Sequence, residues 1–164
     1  MKKGNKGFTL VELIAMIVIL GIIAILATPN IVRMVDNGKK KKFVADAIEL
    51  IGVAKYKNKL EKYDEIFKID TDNSNCVIAS AHDLGLQNKE NPDGILYDLE
   101  KSKVKVCGDS QYFVEVFSDN TDSNANKIRG VGTVENNVIT YVSDETLRGD
   151  SAINYVFDEK VLNK

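Results

Sequence analysis

Few residues of this chain are able to do chemistry, and one of them stands in an unusual place. Glu12 lies near the start of an apolar stretch that runs from Phe8 to Thr28. A carboxylate within such a stretch is costly in lipid and is a functional hypothesis by default. The first question that the sequence raises is therefore what Glu12 does.

The other reactive side chains form no catalytic pattern. The chain has one histidine, His82, and it has no phosphate-binding loop, no nucleophile elbow and no zinc-peptidase motif. A lone histidine without a second ligand at metal spacing is more typical of a surface or capping position. We therefore expect no enzymatic activity and no cofactor.

Two acidic loops are candidates for cation binding. Asp70–Ser74 resembles the first half of a calcium loop, but Asn75 stands where that loop needs glycine and Ala81 where it needs glutamate. Asp119 and Asp122 lie in a second polar loop and are the remaining candidates for a cation such as Ca²⁺. We expect both loops to be solvated and no metal to be required.

Two cysteines, Cys76 and Cys107, lie well beyond the apolar stretch. If this part of the chain is outside the cell, they are able to form a disulfide, and two buried free thiols are the alternative. A disulfide that closes a loop of this size would contribute roughly 3–4 kcal/mol. Sequence alone does not fix the geometry of the pair, so both alternatives remain open at this point.

Overall charge argues against nucleic acid as a partner. Lysine and arginine number 22 and aspartate and glutamate 24, which gives a formal net charge of −2. Proteins that bind nucleic acid non-specifically carry an excess of positive charge. The run of four lysines from Lys39 to Lys42 points in all directions on a helix, and we expect it to form a solvated collar.

The apolar stretch itself has the length of a membrane span. As a helix, Phe8–Thr28 would cover about 31 Å, close to the thickness of one hydrocarbon core. A cleaved secretory signal would be shorter and would end in an A-x-A-like site, whereas Ala24 and Ala27 have the wrong spacing. A plain membrane anchor fits the length but does not explain Glu12.

A third interpretation accounts for the whole stretch. The run Gly7-Phe8-Thr9-Leu10-Val11-Glu12 follows a short basic leader and precedes apolar residues up to Pro29. This arrangement resembles the N-terminus of type IV pilins, and it resembles the pseudopilins of type II secretion and competence systems equally well. The resemblance covers about the first 30 residues of the chain.

The resemblance implies a processing and assembly route. A prepilin peptidase with N-methyltransferase activity would cut between Gly7 and Phe8 and methylate the new amine of Phe8. The precursor would wait in the cytoplasmic membrane as a single-span protein. An inner-membrane assembly platform and its ATPase would then move it into a helical filament of identical and other pilins. In that filament, Glu12 would pair with the Phe8 amine of a neighbouring subunit.

Gly21 and Pro29 match positions between which the family's long helix is often loosened in filaments. Physical chemistry agrees, because glycine costs about 1 kcal/mol and proline about 3 kcal/mol in a helix interior. The alternatives are close helix packing at Gly21 and a simple kink at Pro29.

The implied function is that of a major or minor subunit of a type IV pilus. Such a filament would extend from the cell surface and serve adhesion, aggregation and biofilm formation, or twitching motility. The alternative is a pseudopilin of a type II secretion or DNA-uptake apparatus. A second alternative is a membrane-anchored surface binding protein that never polymerises.

Beyond Pro29, the pattern predicts how the rest of the chain folds. Apolar residues recur at helical spacing as far as Ala54, which predicts an amphipathic helix to about Lys62. From the Asn91–Gly94 turn onward, alternating runs predict strands. The predicted strands are 95–99, 104–107, 112–117, 128–134 and 138–142, with a strand or helical turn at 153–157.

The prediction is therefore an α+β fold of the type IV pilin kind. A long N-terminal α-helix, with an apolar half and an amphipathic half, packs against an antiparallel β-sheet of about four or five strands. The predicted parts are a cleaved leader (1–7), a hydrophobic membrane or filament-core helix (8–35), the amphipathic half of the helix (36–62) and a globular extracellular head (63–164).

Overall fold

A computed structural model describes residues 8–60, 66–73, 75–87, 89–108, 110–121, 129–136 and 138–158. The chain divides into an N-terminal unit, Met1–Asn37, and a C-terminal unit, Gly38–Lys164. The first helix, α1 (Leu10–Asn58), begins in the N-terminal unit and ends in the C-terminal unit. It ends four residues before the predicted Lys62, and 61–65 lie outside the described residues.

The C-terminal unit is built mainly from short antiparallel strands. The strands are β1 (Lys68–Ile69), β2 (Cys76–Ser80), β3 (Tyr97–Cys107), β4 (Gln111–Ser118), β5 (Arg129–Val131), β6 (Thr133–Glu135), β7 (Val138–Thr140), β8 (Val142–Ser143) and β9 (Val156–Asp158). A one-turn helix α2 (Asp144–Leu147) and a 3₁₀ turn (Ala152–Tyr155) lie between β8 and β9.

Seven of these strands form one sheet in the order β1-β2-β3-β4-β5-β9, with β8 also paired to β4. Strand β4 is long enough to pair with two strands, β5 and β8, along the same edge. Val116 pairs with Val131 of β5, while Phe113 pairs with Ser143 of β8. Strands β6 and β7 form a separate hairpin. The predicted antiparallel α+β arrangement is confirmed, with more strands than the four or five expected.

The core lies between the last part of α1 and the inner face of the sheet. On α1 the buried apolar side chains recur every three or four residues, as a helix packed on one face requires. Valines of β3, β4 and β5 supply most of the opposing layer, because alternate residues of a strand point to the same face. The main members are Phe43, Val44, Ala47, Leu50, Ile51, Ala54, Val104, Val106, Val114, Val116 and Val131.

The predicted strand 104–107 and residues 97–99 of the predicted strand 95–99 belong to the single strand β3, whereas Ile95 and Leu96 precede it. The pairing of β3 with β4 shifts register between Asp98 and Lys103, so the irregularity interrupts the alternation without ending the strand. Strand β2 was not predicted, because its five residues follow a polar stretch and carry no turn signal of their own. The turn at Asn91–Gly94 is confirmed, with the Gly94 amide donating to the Asn91 carbonyl at 2.9 Å.

A buried carboxylate fastens α1 to the segment before β3. The Asp46 side chain, only 4% exposed, accepts hydrogen bonds from Lys42 Nζ at 2.7 Å and Lys89 Nζ at 2.9 Å. It also accepts one from the buried Tyr97 hydroxyl at 2.8 Å. Lys39 contacts Asp93 at 2.8 Å. Lys39 and Lys42, expected in a solvated collar, remain 40% and 57% exposed, but each also forms an ion pair with an acidic residue of the same unit.

Candidate processing and assembly site

The predicted cleavage position lies at the edge of the described residues. Gly7 and the basic leader lie outside them, so the structure gives no account of that side of the bond. Phe8 is described, and 72% of its surface is exposed. It precedes α1 by one residue, Thr9, so the amine that cleavage would create lies immediately next to the helix N-terminus.

Glu12 and Thr9 form a capping box at the start of α1. The carboxylate oxygen Oε2 of Glu12 accepts hydrogen bonds from the Thr9 amide at 2.9 Å and from the Thr9 hydroxyl at 2.8 Å. The Thr9 hydroxyl oxygen accepts one from the Glu12 amide at 3.3 Å. These bonds satisfy amide groups that have no partner inside the helix. In addition, the negative charge stands at the positive end of the helix dipole.

Sequence reasoning missed this role of Thr9. The signal was present, because threonine followed three residues later by glutamate, just before an apolar run, is the signature of a capping box. Glu12 therefore has a local partner within its own chain. Any pairing with the amine of a neighbouring subunit has to add to this arrangement or replace part of it.

The helix that follows the capping box presents apolar side chains to its surroundings on every face. An 18-residue window of α1 has a mean hydropathy of 3.0, and none of it is buried within the chain. By length and composition, α1 is able to cross a membrane. From Phe8 to Val32, Glu12 is the only charged residue. A helix that is apolar all round needs lipid or other helices about it.

The structure continues α1 through both predicted weak points, Gly21 and Pro29. Pro29 has no amide to donate to the carbonyl of Ile25, so one bond of the helical ladder is missing there. One residue earlier, the Thr28 hydroxyl donates to the carbonyl of Ala24 at 2.6 Å. Apart from the adjoining helix backbone, no atom of the described residues lies within 4 Å of a Cβ built at Gly21, so no described contact requires glycine there.

The remaining candidates lie in the C-terminal unit. Cys76 and Cys107 face each other across β2 and β3, and their sulfur atoms form a disulfide. Asp119 accepts a hydrogen bond from the amide of Thr121 at 2.9 Å, as a loop-capping aspartate does, whereas Asp122 lies outside the described residues. Across the described ranges, no group of three or more histidine, cysteine or acidic side chains is placed to hold a metal ion.

Comparison with known proteins gives a match for the N-terminal segment of the chain. Residues 2–28 match the family described as the prokaryotic N-terminal methylation motif. The resemblance to pilins and pseudopilins is thereby confirmed for this segment, which contains Gly7, Phe8 and Glu12.

Curated relatives match over a somewhat longer N-terminal stretch. The chain is 40% identical over 50 residues to type II secretion system core protein G of Dickeya chrysanthemi, which is 30% of this chain and 33% of that protein. It is 39% identical over 49 residues to the protein of the same name from Klebsiella michiganensis, covering 30% and 34%. No solved structure gives a significant match to the chain.

The chain thus spans about a third of the length of the curated relatives it matches. The family match over residues 2–28 contains most of the apolar stretch. The arrangement is that of a membrane-anchored precursor with a processing motif. These relatives carry the name of a type II secretion system core protein, and they support the pseudopilin alternative at least as well as the type IV pilus.

Proposed function

We propose that this chain is a pseudopilin-like subunit that polymerises through its N-terminal helix in a secretion apparatus. The observation that carries the proposal is the methylation motif over residues 2–28, continued by the match to type II secretion core protein G. The exposed apolar face of α1 supports it, because such a helix is stable only in a membrane or among other helices.

Processing is the first step of the proposed mechanism. A prepilin peptidase cuts the peptide bond between Gly7 and Phe8, and the new amine of Phe8 is methylated. The chain is a substrate in this step, and we propose no catalytic activity of its own. Cleavage removes Lys2, Lys3 and Lys6 and places a positive charge at the helix N-terminus.

Glu12 then selects the position of the subunit in the filament. Its carboxylate already accepts two hydrogen bonds from Thr9, which lower the cost of holding the charge near lipid. A carboxylate has about four acceptor sites, so it is able to accept a further bond from the amine of a neighbouring Phe8. A charge that lacks this second partner in the filament core would be left poorly compensated, which favours one register of docking.

Apolar packing provides the driving force once the register is set. The side chains of α1 that lie in lipid before assembly exchange lipid contacts for contacts with neighbouring helices. Because lipid is as apolar as these side chains, close packing and the Glu12 pair decide the outcome, while burial from water contributes little. The C-terminal unit would lie outside the cytoplasm and on the filament surface.

Mass spectrometry of the mature chain tests the first step. We expect a chain that begins at methylated Phe8 in cells that contain the peptidase. A chain that retains Met1 or Lys2 there would refute both filament functions and leave a membrane-anchored binding protein.

The variant Glu12→Val tests the assembly step, with Leu13→Val as the matched control in the next helical position. We expect Glu12→Val to be cleaved and inserted normally but to give few filaments, whereas Leu13→Val assembles like the natural chain. Normal filament yield from Glu12→Val would refute the role of the carboxylate.

Immunogold labelling with a gene deletion separates the secretion subunit from the type IV pilus subunit that the sequence also suggests. Label confined to the cell envelope, together with a secretion defect, supports the pseudopilin. Long labelled surface filaments, with secretion unaffected, would favour the pilus and its roles in adhesion, aggregation or motility.

A further inference from the structure

We propose that the outer face of the sheet, beside the disulfide, binds a neutral saccharide. A groove of about 350 Å³ on this face is lined by Asn73, Lys105, Cys107, Gln111, Phe113 and Tyr141. Ligand sites of proteins commonly have volumes of about 300–1,000 Å³ and combine apolar walls with a few placed polar groups. We call this set of six residues the sheet groove.

Strand register places the groove residues on one face. Lys105 of β3 lies directly opposite Phe113 of β4, and Cys107 lies opposite Gln111. Tyr141 is two residues before Ser143, which pairs with Phe113 from the other side, so its side chain shares the face. The groove thus crosses β3, β4 and the entry to β8.

Tyr141 is held in place by its surroundings. The carboxylate of Glu115 lies close to its hydroxyl on the same face, and the ammonium of Lys105 lies 5.4 Å from its ring centroid. Burial and the nearby Glu115 charge raise the pKa of Tyr141, so its hydroxyl stays protonated. A fixed aromatic ring loses little entropy on binding, which is how preorganised sites increase affinity.

The polar end of the groove is also fixed. The carbonyl of Asn73 accepts a hydrogen bond from the Cys76 amide at 2.9 Å, and its side-chain oxygen accepts one from Asn75 at 3.1 Å. The disulfide ties Cys76 to Cys107, directly opposite Gln111. A second hollow continues past Asn73 and Gln111 and adds Asn75 and Ser110 to the polar wall.

Charge selects the class of ligand. The one cation of the groove, Lys105, forms an ion pair with the buried Asp70 carboxylate and is only 19% exposed itself. Among the six described lining residues, no charge is therefore left uncompensated for an anion or a cation to bind. It offers aromatic rings beside amide and hydroxyl groups. Sugars match this combination, since their C–H faces pack on rings while their hydroxyls exchange hydrogen bonds with amides.

The proposal rests on the proposed function in one respect, namely that the C-terminal unit lies outside the cytoplasm, where polysaccharides occur. Binding by the purified chain depends on neither cleavage nor polymerisation. A failure of saccharide binding would leave the N-terminal assignment intact, and a failure of processing would leave the binding measurement intact.

The test uses the full-length chain in lipid nanodiscs, with chitotriose and maltotriose as neutral probes and saturation-transfer NMR as the readout. We expect saturable binding of at least one probe. Gln111→Ala, at an exposed position, should weaken it about five- to tenfold through the loss of one hydrogen bond. Tyr141→Leu should weaken it at least tenfold through the loss of the ring.

Tyr56→Leu is the matched control, because Tyr56 is 67% exposed on α1 and lies outside the groove. It should bind like the natural chain. Equal binding by Gln111→Ala and the natural chain would overturn the proposal, as would the absence of saturable binding by either probe. A neutral peptide that binds where both saccharides fail would assign the groove to peptides and refute the saccharide.

Discussion

Removal of the Asp46 carboxylate is expected to destabilise the C-terminal unit by about 3 kcal/mol. Asp46 accepts three hydrogen bonds while its side chain is only 4% exposed. In Asp46→Ala the buried Tyr97 hydroxyl loses its acceptor, Lys42 loses the Asp46 charge, and Lys89 keeps only its contact with Glu49.

The magnitude follows from the exposure of each donor. The bond from Tyr97, which is 8% exposed, contributes about 1.5–2 kcal/mol, as a buried bond to a charged group does. Lys42 and Lys89 have side chains that are 57% and 38% exposed, so solvent screens their attraction and each contributes at most about 0.5–1 kcal/mol. For a chain of this size, the total corresponds to a decrease in melting temperature of roughly 6–12 °C.

Glu49→Ala is the matched control for this prediction. Glu49 lies one helical turn after Asp46 and contacts the same Lys89 ammonium at 2.7 Å, but its side chain is 59% exposed. Its loss should cost no more than about 1 kcal/mol. The free energy of unfolding, measured by urea titration of the full chain in mild detergent, compares the two. Equal losses below about 1 kcal/mol in both variants would refute the argument from burial.

The pH dependence gives an independent check. Burial raises the pKa of Asp46, but hydrogen bonds from Lys42, Lys89 and Tyr97 outweigh it and hold the pKa below its ordinary value of 3.8. A lowered pKa means that the ionised carboxylate stabilises the folded state above pH 3.8 and that this stabilisation is lost as the pH falls further. The stability difference between the natural chain and Asp46→Asn should therefore shrink below about pH 3.8.

Three further variants test the buried charge of Glu115 and the space around two glycines. Burial raises the pKa of Glu115 above 4.5, so its ionised form opposes folding at higher pH. Glu115→Gln should therefore raise the melting temperature at pH 7 and give no gain below about pH 4. An equal gain at both pH values would contradict this reasoning. A side chain at Gly130 would overlap the carbonyl oxygen of Val116, so Gly130→Ala should lower the urea midpoint of unfolding. Gly52→Ala, on open helix surface, should instead stabilise the fold by about 1 kcal/mol. Similar midpoints for the two variants would show that the sheet backbone moves to accept the extra methyl group.

The N-terminal helix and its motif could be predicted from the sequence because the residues that define them lie close together in the chain. Glu12, its apolar surroundings and the span length all lie within about thirty consecutive residues. The capping box is also local, since Thr9 lies only three residues before Glu12 in the chain. Helix periodicity likewise predicted the buried face of α1 as far as Ala54.

The ion pairs and strand pairings of the C-terminal unit were harder to predict, because they join residues that are far apart in the chain. Four consecutive lysines indicate a solvated collar, yet Lys39 contacts Asp93, 54 residues later. No local pattern predicts β2, because its place in the sheet depends on the pairing of Cys76 with Cys107, which are 31 residues apart in the chain.

The sequence by itself determined that the chain begins with a processing motif and an apolar helix, and that an antiparallel sheet follows. Only the tertiary structure decided which charges are compensated and which faces remain open. Asp46 and Asp70 are buried and paired with lysines of distant segments, and the pairing with Asp70 compensates Lys105 in the sheet groove beside Phe113 and Tyr141. The reason is physical: helix and strand periods act over a few residues, whereas ion pairing and strand register depend on where the folded chain brings distant residues together.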